Sequence, residues 1–347
     1  MHHKFVRILQ IAFTYIGTIV GAGFATGQEI LQFFTKYGSL AVITIWISTF
    51  LFIWLGTKIL ILSHDIQAHS YADLNQYLFG ERIGRWVSAV MLVLLFCITS
   101  VMLAGAGSVF NEHFHLPYQL GLWITMLAAY IVIKRGIDAI LTVNTVVVPA
   151  ILLFTLLLVI ATIQSPNASH WLLLESDPSS WRLWLSPFLY VGFNLLLAQA
   201  VLVPIGSKTA DRNVAYWGGI WGGIGIGALL MAGHFTLSSR MPAILQFEIP
   251  MGVLIISLGL IVQFLYLITI YAEIFTTYIA NIYGLTLQIE QKMPAVNNRW
   301  ILISLLFLTY AVSQIGFSKL LTTLYPLFGF LSLGWLALLM HKKTRHP

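Results

Sequence analysis

Tyr15-Ile-Gly-Thr-Ile-Val-Gly-Ala-Gly-Phe-Ala-Thr-Gly-Gln-Glu29 lies inside the first long apolar run of this 347-residue sequence, and four of its fifteen residues are glycine. Gly17, Gly21 and Ala25 carry the small-xxx-small spacing of closely packed membrane helices. Gly23 and Gly27, set among polar Thr26, Gln28 and Glu29, fit that use less well. An unwound helix inside a bilayer exposes main-chain carbonyls and half-helix ends. It is tolerated only where it faces a cavity. The stretch therefore predicts a broken first membrane helix, with plain helix packing as the alternative.

The rest of the chain supplies the membrane. Hydrophobic residues make up 59% and charged residues 9%, and the mean hydropathy is +0.87. A soluble chain is usually about a quarter charged. Apolar segments fall at about 8–35, 39–62, 84–110, 118–134, 138–163, 183–206, 213–236, 249–283, 299–316 and 319–340. Each is near the roughly 20 residues that cross a ~30 Å hydrocarbon core. The prediction is an all-α polytopic protein with ten transmembrane helices in a single domain over 1–347. The long, glycine-broken first run argues against a cleaved signal peptide. Ser70–Gly80 reads as a short interfacial helix ended by glycine.

The net charge of +6 does not point to nucleic acid, because the cations are scattered between spans rather than gathered on one face. With ten alternating spans and a cytoplasmic N-terminus, 14 of the 18 Lys and Arg residues lie inside and Lys36, Arg182, Arg240 and Lys319 outside. The positive-inside rule thus places both termini in the cytoplasm, in the cytoplasmic membrane. The single cysteine, Cys97, allows no intramolecular disulfide. Glu112, His113 and His115 are read as a solvated loop cluster rather than a metal site. No nucleotide-binding loop, HExxH motif or nucleophile elbow appears, and no enzyme or cofactor is expected.

The sixth span, Ser186-Pro-Phe-Leu-Tyr-Val-Gly-Phe-Asn-Leu-Leu-Leu-Ala-Gln199, carries Pro187, Gly192 and Asn194, with Pro204 beyond. Interruptions in spans one and six of ten are corresponding positions in two five-span halves, about 8–163 and 183–340. That is the sequence pointer to an inverted repeat with a midplane site, discontinuous in helices 1 and 6.

Ionisable groups within spans are costly and default to function. Glu273 lies deep in span eight. At 100° per residue, Gly259, Gln263, Tyr266, Ile270, Glu273 and Thr277 share about an 80° arc, read either as an interhelical polar seam or as a binding wall. Glu29, just past the first-span break, is read either as a substrate group or as a solvated vestibule residue. Ser100, Ser108, Asn144 and Thr145 carry a weaker signal, since short polar side chains often bond back to their own helix. Ser100 is kept as a wall residue of span three.

Gly21-Ala-Gly-Phe-Ala-Thr-Gly-Gln-Glu-Ile-Leu-Gln-Phe-Phe34, opening a ten-span chain of this length, resembles the YkvI group of bacterial membrane proteins. That group is similar to the amino acid–polyamine–organocation superfamily, whose fold is the five-plus-five inverted repeat of the leucine transporter. The resemblance implies a secondary transporter of a small organic solute, an amino acid or amine, with Na+ as coupling ion. It places the solute against Gly21, Ala22, Gly23, Phe24, Ala25, Thr26 and Glu29 of span one. The sixth span would add Tyr190, Gly192, Phe193 and Asn194, and spans three and eight Ser100, Gln263 and Tyr266. Phe24, Tyr190, Phe193 and Tyr266 would close over an apolar or cationic moiety.

Sodium-coupled relatives hold an ion between spans one and eight. By resemblance, its ligands here are the carbonyls of Gly17, Val20 and Glu273 and the hydroxyls of Thr276 and Thr277. Phe24 stands where some relatives carry a sodium-binding asparagine, so a second ion site is not expected. Glu273 leaves H+ as an alternative coupling ion. A nutrient sensor of the spore-germination type is the rival function, and protein partners are left unknown.

Overall fold

A bilayer offers main-chain groups no water, so each long apolar run must satisfy its own N–H and C=O groups as a helix. The computed structural model describes residues 2–68, 70–135, 138–292 and 296–342, without the side chains of 2, 3, 135, 138–146, 148, 291 and 292. Among the described residues every regular element is helical.

The first apolar run is three pieces, α1 (His2–Ile19), α2 (Ala22–Thr26) and α3 (Gln28–Phe33). A 3-10 segment over Thr35–Leu40 leads into α4 (Ala41–Leu51), a π-helical turn (Phe52–Gly56) and α5 (Thr57–Ile66). Then come α6 (Tyr71–Glu112), α7 (Tyr118–Arg135), α8 (Asp138–Ile163) and the short α9 (His170–Leu173). The second half holds α10 (Trp181–Lys208), α11 (Arg212–Ser238), the short α12 (Pro250–Leu254), α13 (Leu260–Lys292), α14 (Asn298–Ser313) and α15 (Phe317–His341).

Among the described residues, six helical stretches are long and apolar enough to cross a membrane: Thr35–Ile66, α6, α10, α11, α13 as far as Glu290, and α15. The apolar parts of α7, α8 and α14 are shorter.

Two sequence expectations need correction. The sixth segment is not broken: α10 is one helix despite Pro187 and Pro204. Its glycine serves packing instead, because a Cβ on Gly192 would stand 2.4 Å from Ser332 Oγ of α15. Asn194 bonds its own helix, donating Nδ2 to the Tyr190 carbonyl at 3.0 Å. The eighth segment begins later than residue 249. Gly259, at φ +98°, separates α13 from α12 and a 3-10 turn over Ile255–Leu258. The expected short helix at 70–80 is present as the start of α6. Ser70 and Asp73 form a capping box, and Gly80 at φ +78° bends the helix.

Glycine sets the tightest contacts of the bundle. On one side of α11, Cβ atoms at Gly218, Gly222 and Gly225 would stand 2.6 Å from Ile11, 2.4 Å from Tyr15 and 2.4 Å from Ile16 of α1. On the other side, Gly219, Gly223 and Gly227 meet Thr57, Ile53 and Thr49. Close backbone approach of this kind replaces the hydrophobic drive that lipid removes. Tyr15 also donates its hydroxyl to the Phe52 carbonyl at 3.0 Å, within the π-helical turn. Elsewhere α10 lies on α15, α4 and α5, while α6 lies on α13 and α7.

Polar ties mark two faces. The face carrying the N-terminus holds Lys4–Asp211 at 2.7 Å, Arg212–Asp65 at 3.3 Å, and Lys342 Nζ on the Tyr77 carbonyl at 3.1 Å. The opposite face holds Gln119 Nε2 on Gln314 Oε1 at 2.7 Å. There Glu112 accepts the Glu248 and Ile249 N–H groups at 2.6 and 2.9 Å. Glu112 thus anchors the segment between α11 and α12. No group of three metal-ligating side chains occurs among the described residues.

Candidate functional site

The helix ladder stops where the glycines crowd. Gly21, in extended conformation, turns its N–H back onto the Ile19 carbonyl at 2.9 Å, and the first bond of α2 runs from Ala25 N–H to the Gly21 carbonyl at 2.9 Å. Among the described residues no main-chain N–H reaches the carbonyls of Gly17, Thr18 or Val20. A second interruption follows at Gly27, whose φ of +85° suits glycine alone. A Cβ there would also stand 2.7 Å from Met251 Cγ.

A cavity of about 260 Å³ adjoins the first interruption. Thr18, Ile19 and Gly21–Gly23 line it from the broken helix, together with Glu29 from α3. Phe193 and Asn194 of α10, Thr277 and Asn281 of α13, Tyr325 of α15 and an apolar stretch of α6 complete the wall. The cavity extends toward the N-terminal face. At that end the Tyr71 hydroxyl donates to Gln288 Oε1 at 2.9 Å, and both residues line the cavity.

Toward the other face the chain closes. Tyr266 donates its hydroxyl to the Ala25 carbonyl at 2.9 Å, and Gln28 Nε2 donates to the Phe247 carbonyl at 2.7 Å. Ser186 Oγ bonds the Phe33 carbonyl. Phe33, Phe34, Phe52 and Phe193 surround the Tyr190 ring at centroid separations of 5.0–5.9 Å.

Glu29 is 5% exposed, and its Oε2 has no hydrogen-bond partner. The hydroxyls of Tyr190 and Tyr325 face it as its hydrogen-bonding neighbours. The carboxylate folds back over α2, because Gly23 offers no side chain. A Cβ there would stand 2.2 Å from Glu29 Oε1.

Gly21, Ala22, Gly23, Glu29, Phe193 and Asn194 thus come together on one cavity, as does Thr277. Phe24, Ala25 and Thr26 are buried away from it, and Thr26 donates to the Gly23 carbonyl at 3.0 Å. Ser100 bonds the Phe96 carbonyl of its own helix at 3.0 Å. Gly192 faces α15. Gln263 sits in the first turn of α13, its N–H on the Gly259 carbonyl at 3.0 Å. The side chains of Asn144 and Thr145 lie outside the described residues.

Of the residues read as ion ligands, Gly17 and Val20 present unbonded carbonyls at the break. Thr276 donates to the Glu273 carbonyl at 3.2 Å, and Thr277 reaches the cavity. Glu273 is 4% exposed, with Oε2 unpartnered.

Sequence reasoning missed Tyr325, Asn281, Gln288 and Tyr71. Asn281 follows Thr277 by four residues and Gln288 follows Asn281 by seven. Extending the polar stripe of α13 by about three turns would have found both. Tyr71 and Tyr325 are brought in by tertiary packing and carry no such signal.

No family model matches the sequence. The fold is shared with solved structures. One is an inward-facing conformation of Mhp1, with a TM-score of 0.65 and 12% identity over 95% of this chain and 75% of that one. Another is a mutant of the Eremococcus coleocola manganese transporter, with a TM-score of 0.56 and 14% identity over 95% of this chain and 85% of that one. These agree with the leucine-transporter-type fold. An uncharacterized Bacillus subtilis protein, YyaD, is 26% identical over 94% of each chain. The uncharacterized membrane protein YkvI of Bacillus subtilis is 39% identical over 338 residues, 96% of each chain. Identity at that level over nearly the whole length of both proteins means that the chain belongs to the YkvI family of membrane proteins.

Proposed function

We propose that the protein is a secondary active transporter of a small organic solute of the amino acid or amine class, coupled to Na+. The observation that carries this reading is a cavity beside an interrupted intramembrane helix, extended toward one face and closed from the other. Irregular backbone at that depth is stable only beside such a space, and alternating access needs a site that reaches one face at a time.

Ten crossings in two inverted halves are part of the proposal, and the packing supports them. Shifting the segment count by five turns the contact of α1 with α11 into that of α10 with α4 and α5, and both pairs pack extensively. The excess of Lys and Arg on the N-terminal face supports a cytoplasmic location for that face and for both termini, in the cytoplasmic membrane.

Sodium is favoured by the kind of ligand available. The unbonded carbonyls of Gly17 and Val20, with the Glu273 carbonyl and the hydroxyls of Thr276 and Thr277, form a set of hard oxygens suited to an alkali cation. Proton coupling is the second reading. The buried, unpartnered Oε2 of Glu273 favours it, since intramembrane carboxyls serve as proton relays.

The test is the melting temperature of the purified protein in sodium against potassium at equal ionic strength. A ligand that binds only the folded state raises that temperature. A sodium-specific rise is expected. Equal values in the two salts would exclude the sodium site and move the coupling to H+ through Glu273.

A further inference from the structure

Among the described residues, the cavity at the helix break is lined by one carboxylate, Glu29, and by no Lys, Arg or His. Within the chain its neighbours are the hydroxyls of Tyr190 and Tyr325. Its Oε2 is buried, and neither hydroxyl carries a charge to balance a carboxylate. Buried charges in proteins are normally paired, because an uncompensated one is strongly destabilising. A carboxyl at the edge of an apolar space, with only hydroxyls beside it, is placed to take a cationic partner from outside the chain.

The geometry points to a cavity that takes a monocationic amine with an apolar body, its ammonium group held by Glu29 beside the Tyr325 hydroxyl. This deepens the transporter reading and rests on it only for the direction of entry. An ammonium group offers three donors and no acceptor, which matches a carboxylate oxygen flanked by hydroxyl lone pairs. Phe193 and Tyr325, with ring centroids 5.0 Å apart, stand beside the carboxyl and add aromatic faces of the kind that attract cations. Beyond them the wall is apolar, with Met91, Leu95, Ile98 and Met102 of α6 opposite Leu197 and Val201 of α10. An apolar wall with a few convergent polar groups is the usual form of a small-molecule site.

The same wall selects against other solutes. The α-carboxylate of an amino acid would enter a cavity that already holds one carboxylate and presents no side-chain cation to meet a second. A neutral solute would leave the Glu29 carboxylate without a counter-charge. Gly23 is the enabling residue, because any side chain there would take the place of the Glu29 carboxylate.

The test uses the full-length protein in lipid nanodiscs, in a fixed salt, with phenethylamine as the probe. Phenylalanine and 3-phenylpropanoate serve as the zwitterionic and anionic counterparts of similar shape. Phenethylamine is expected to raise the melting temperature in a saturable way, and the other two are not. Glu29→Gln, which keeps the shape and removes the charge, is expected to weaken phenethylamine binding at least tenfold without lowering the melting temperature of the ligand-free protein. Gly23→Ala, which displaces the carboxylate but leaves it in the chain, is expected to weaken it as well.

Equal or stronger stabilisation by phenylalanine or 3-phenylpropanoate would overturn the proposal. So would unchanged phenethylamine binding in Glu29→Gln, or no binding of phenethylamine at 10 mM or below. If Glu29→Gln does not fold, unchanged binding in Gly23→Ala overturns it on its own. Amine binding without flux into liposomes would defeat the transporter reading and leave this site standing. Flux of a zwitterion with no amine binding would do the reverse.

Discussion

Tyr266 of α13 donates its hydroxyl to the carbonyl of Ala25 in α2 at 2.9 Å, joining residues 241 positions apart in the sequence. The five-residue α2 has an interruption on each side and too little helix to hold itself. The bond to Tyr266 and the Gln28 bond to Phe247 fix it against the second half of the protein. Tyr266→Phe keeps the ring, which packs at 5.0 Å on Phe154, and leaves the Ala25 carbonyl buried without that donor. The expected cost is about 1–3 kcal/mol, read as a lower melting temperature. An unchanged melting temperature would mean that this bond does not hold the break closed.

Thr276 and Thr277 separate the two coupling ions. Thr277→Ala truncates a residue that lines the cavity and removes a hydroxyl that sits against the Glu273 carboxyl, and Thr276→Ala removes one that sits against the Glu273 carbonyl. Both are expected to abolish the sodium-specific rise in melting temperature while leaving the protein folded in potassium. Persistence of the sodium effect in both variants would rule out the ligand set. Glu273→Gln is expected to spare the sodium effect, because its carbonyl is unchanged.

What the sequence disclosed and what it hid follow from how each feature is encoded. The break in the first segment was legible because four glycines among polar residues are a poor composition for an uninterrupted membrane helix. The same logic misread α10. A lone mid-helix glycine is equally well explained by a close neighbour, and for Gly192 that neighbour is Ser332. The neighbour is distant in sequence, so nothing local could distinguish the two uses. The helical stripe on α13 was legible because its period is local, and it carried further than it was followed, to Asn281 and Gln288. Glu29 was legible as an ionisable group near the break. Its companions Tyr190 and Tyr325 come from α10 and α15, and only the tertiary fold brings their hydroxyls together.

Glu112 accepts two neighbouring main-chain N–H groups, from Glu248 at 2.6 Å and Ile249 at 2.9 Å. Glutamine offers one acceptor oxygen and replaces the other with a donor, so Glu112→Gln sets an N–H against an N–H. A loss of about 1–3 kcal/mol is expected, with faster proteolysis in the segment 239–249 under native conditions. Intact protection of that segment would show that the apolar contacts of Ile244 and Ile249 hold it without Glu112.

The approach of α11 to α1 gives the sharpest stability test, because one substitution type has opposite consequences at two sites. A Cβ on Gly222 would stand 2.4 Å from Tyr15 Cδ1, and Tyr15 cannot easily yield, since its hydroxyl is bound to the Phe52 carbonyl and Gly56 packs on the ring. Gly222→Ala is therefore expected to cost about 1–3 kcal/mol by overpacking. On α15, Gly334 has nothing within 4 Å of its would-be Cβ. Gly334→Ala is expected to be neutral, or to gain up to about 1 kcal/mol from better helix propensity. If the Gly222 cost comes from Tyr15, it must shrink when Tyr15 is truncated. The double variant Gly222→Ala, Tyr15→Ala should then be less destabilised than the sum of the two single variants, by about 0.5–3 kcal/mol. Strict additivity would place the cost of Gly222→Ala elsewhere and remove Tyr15 as the spacer between these two helices.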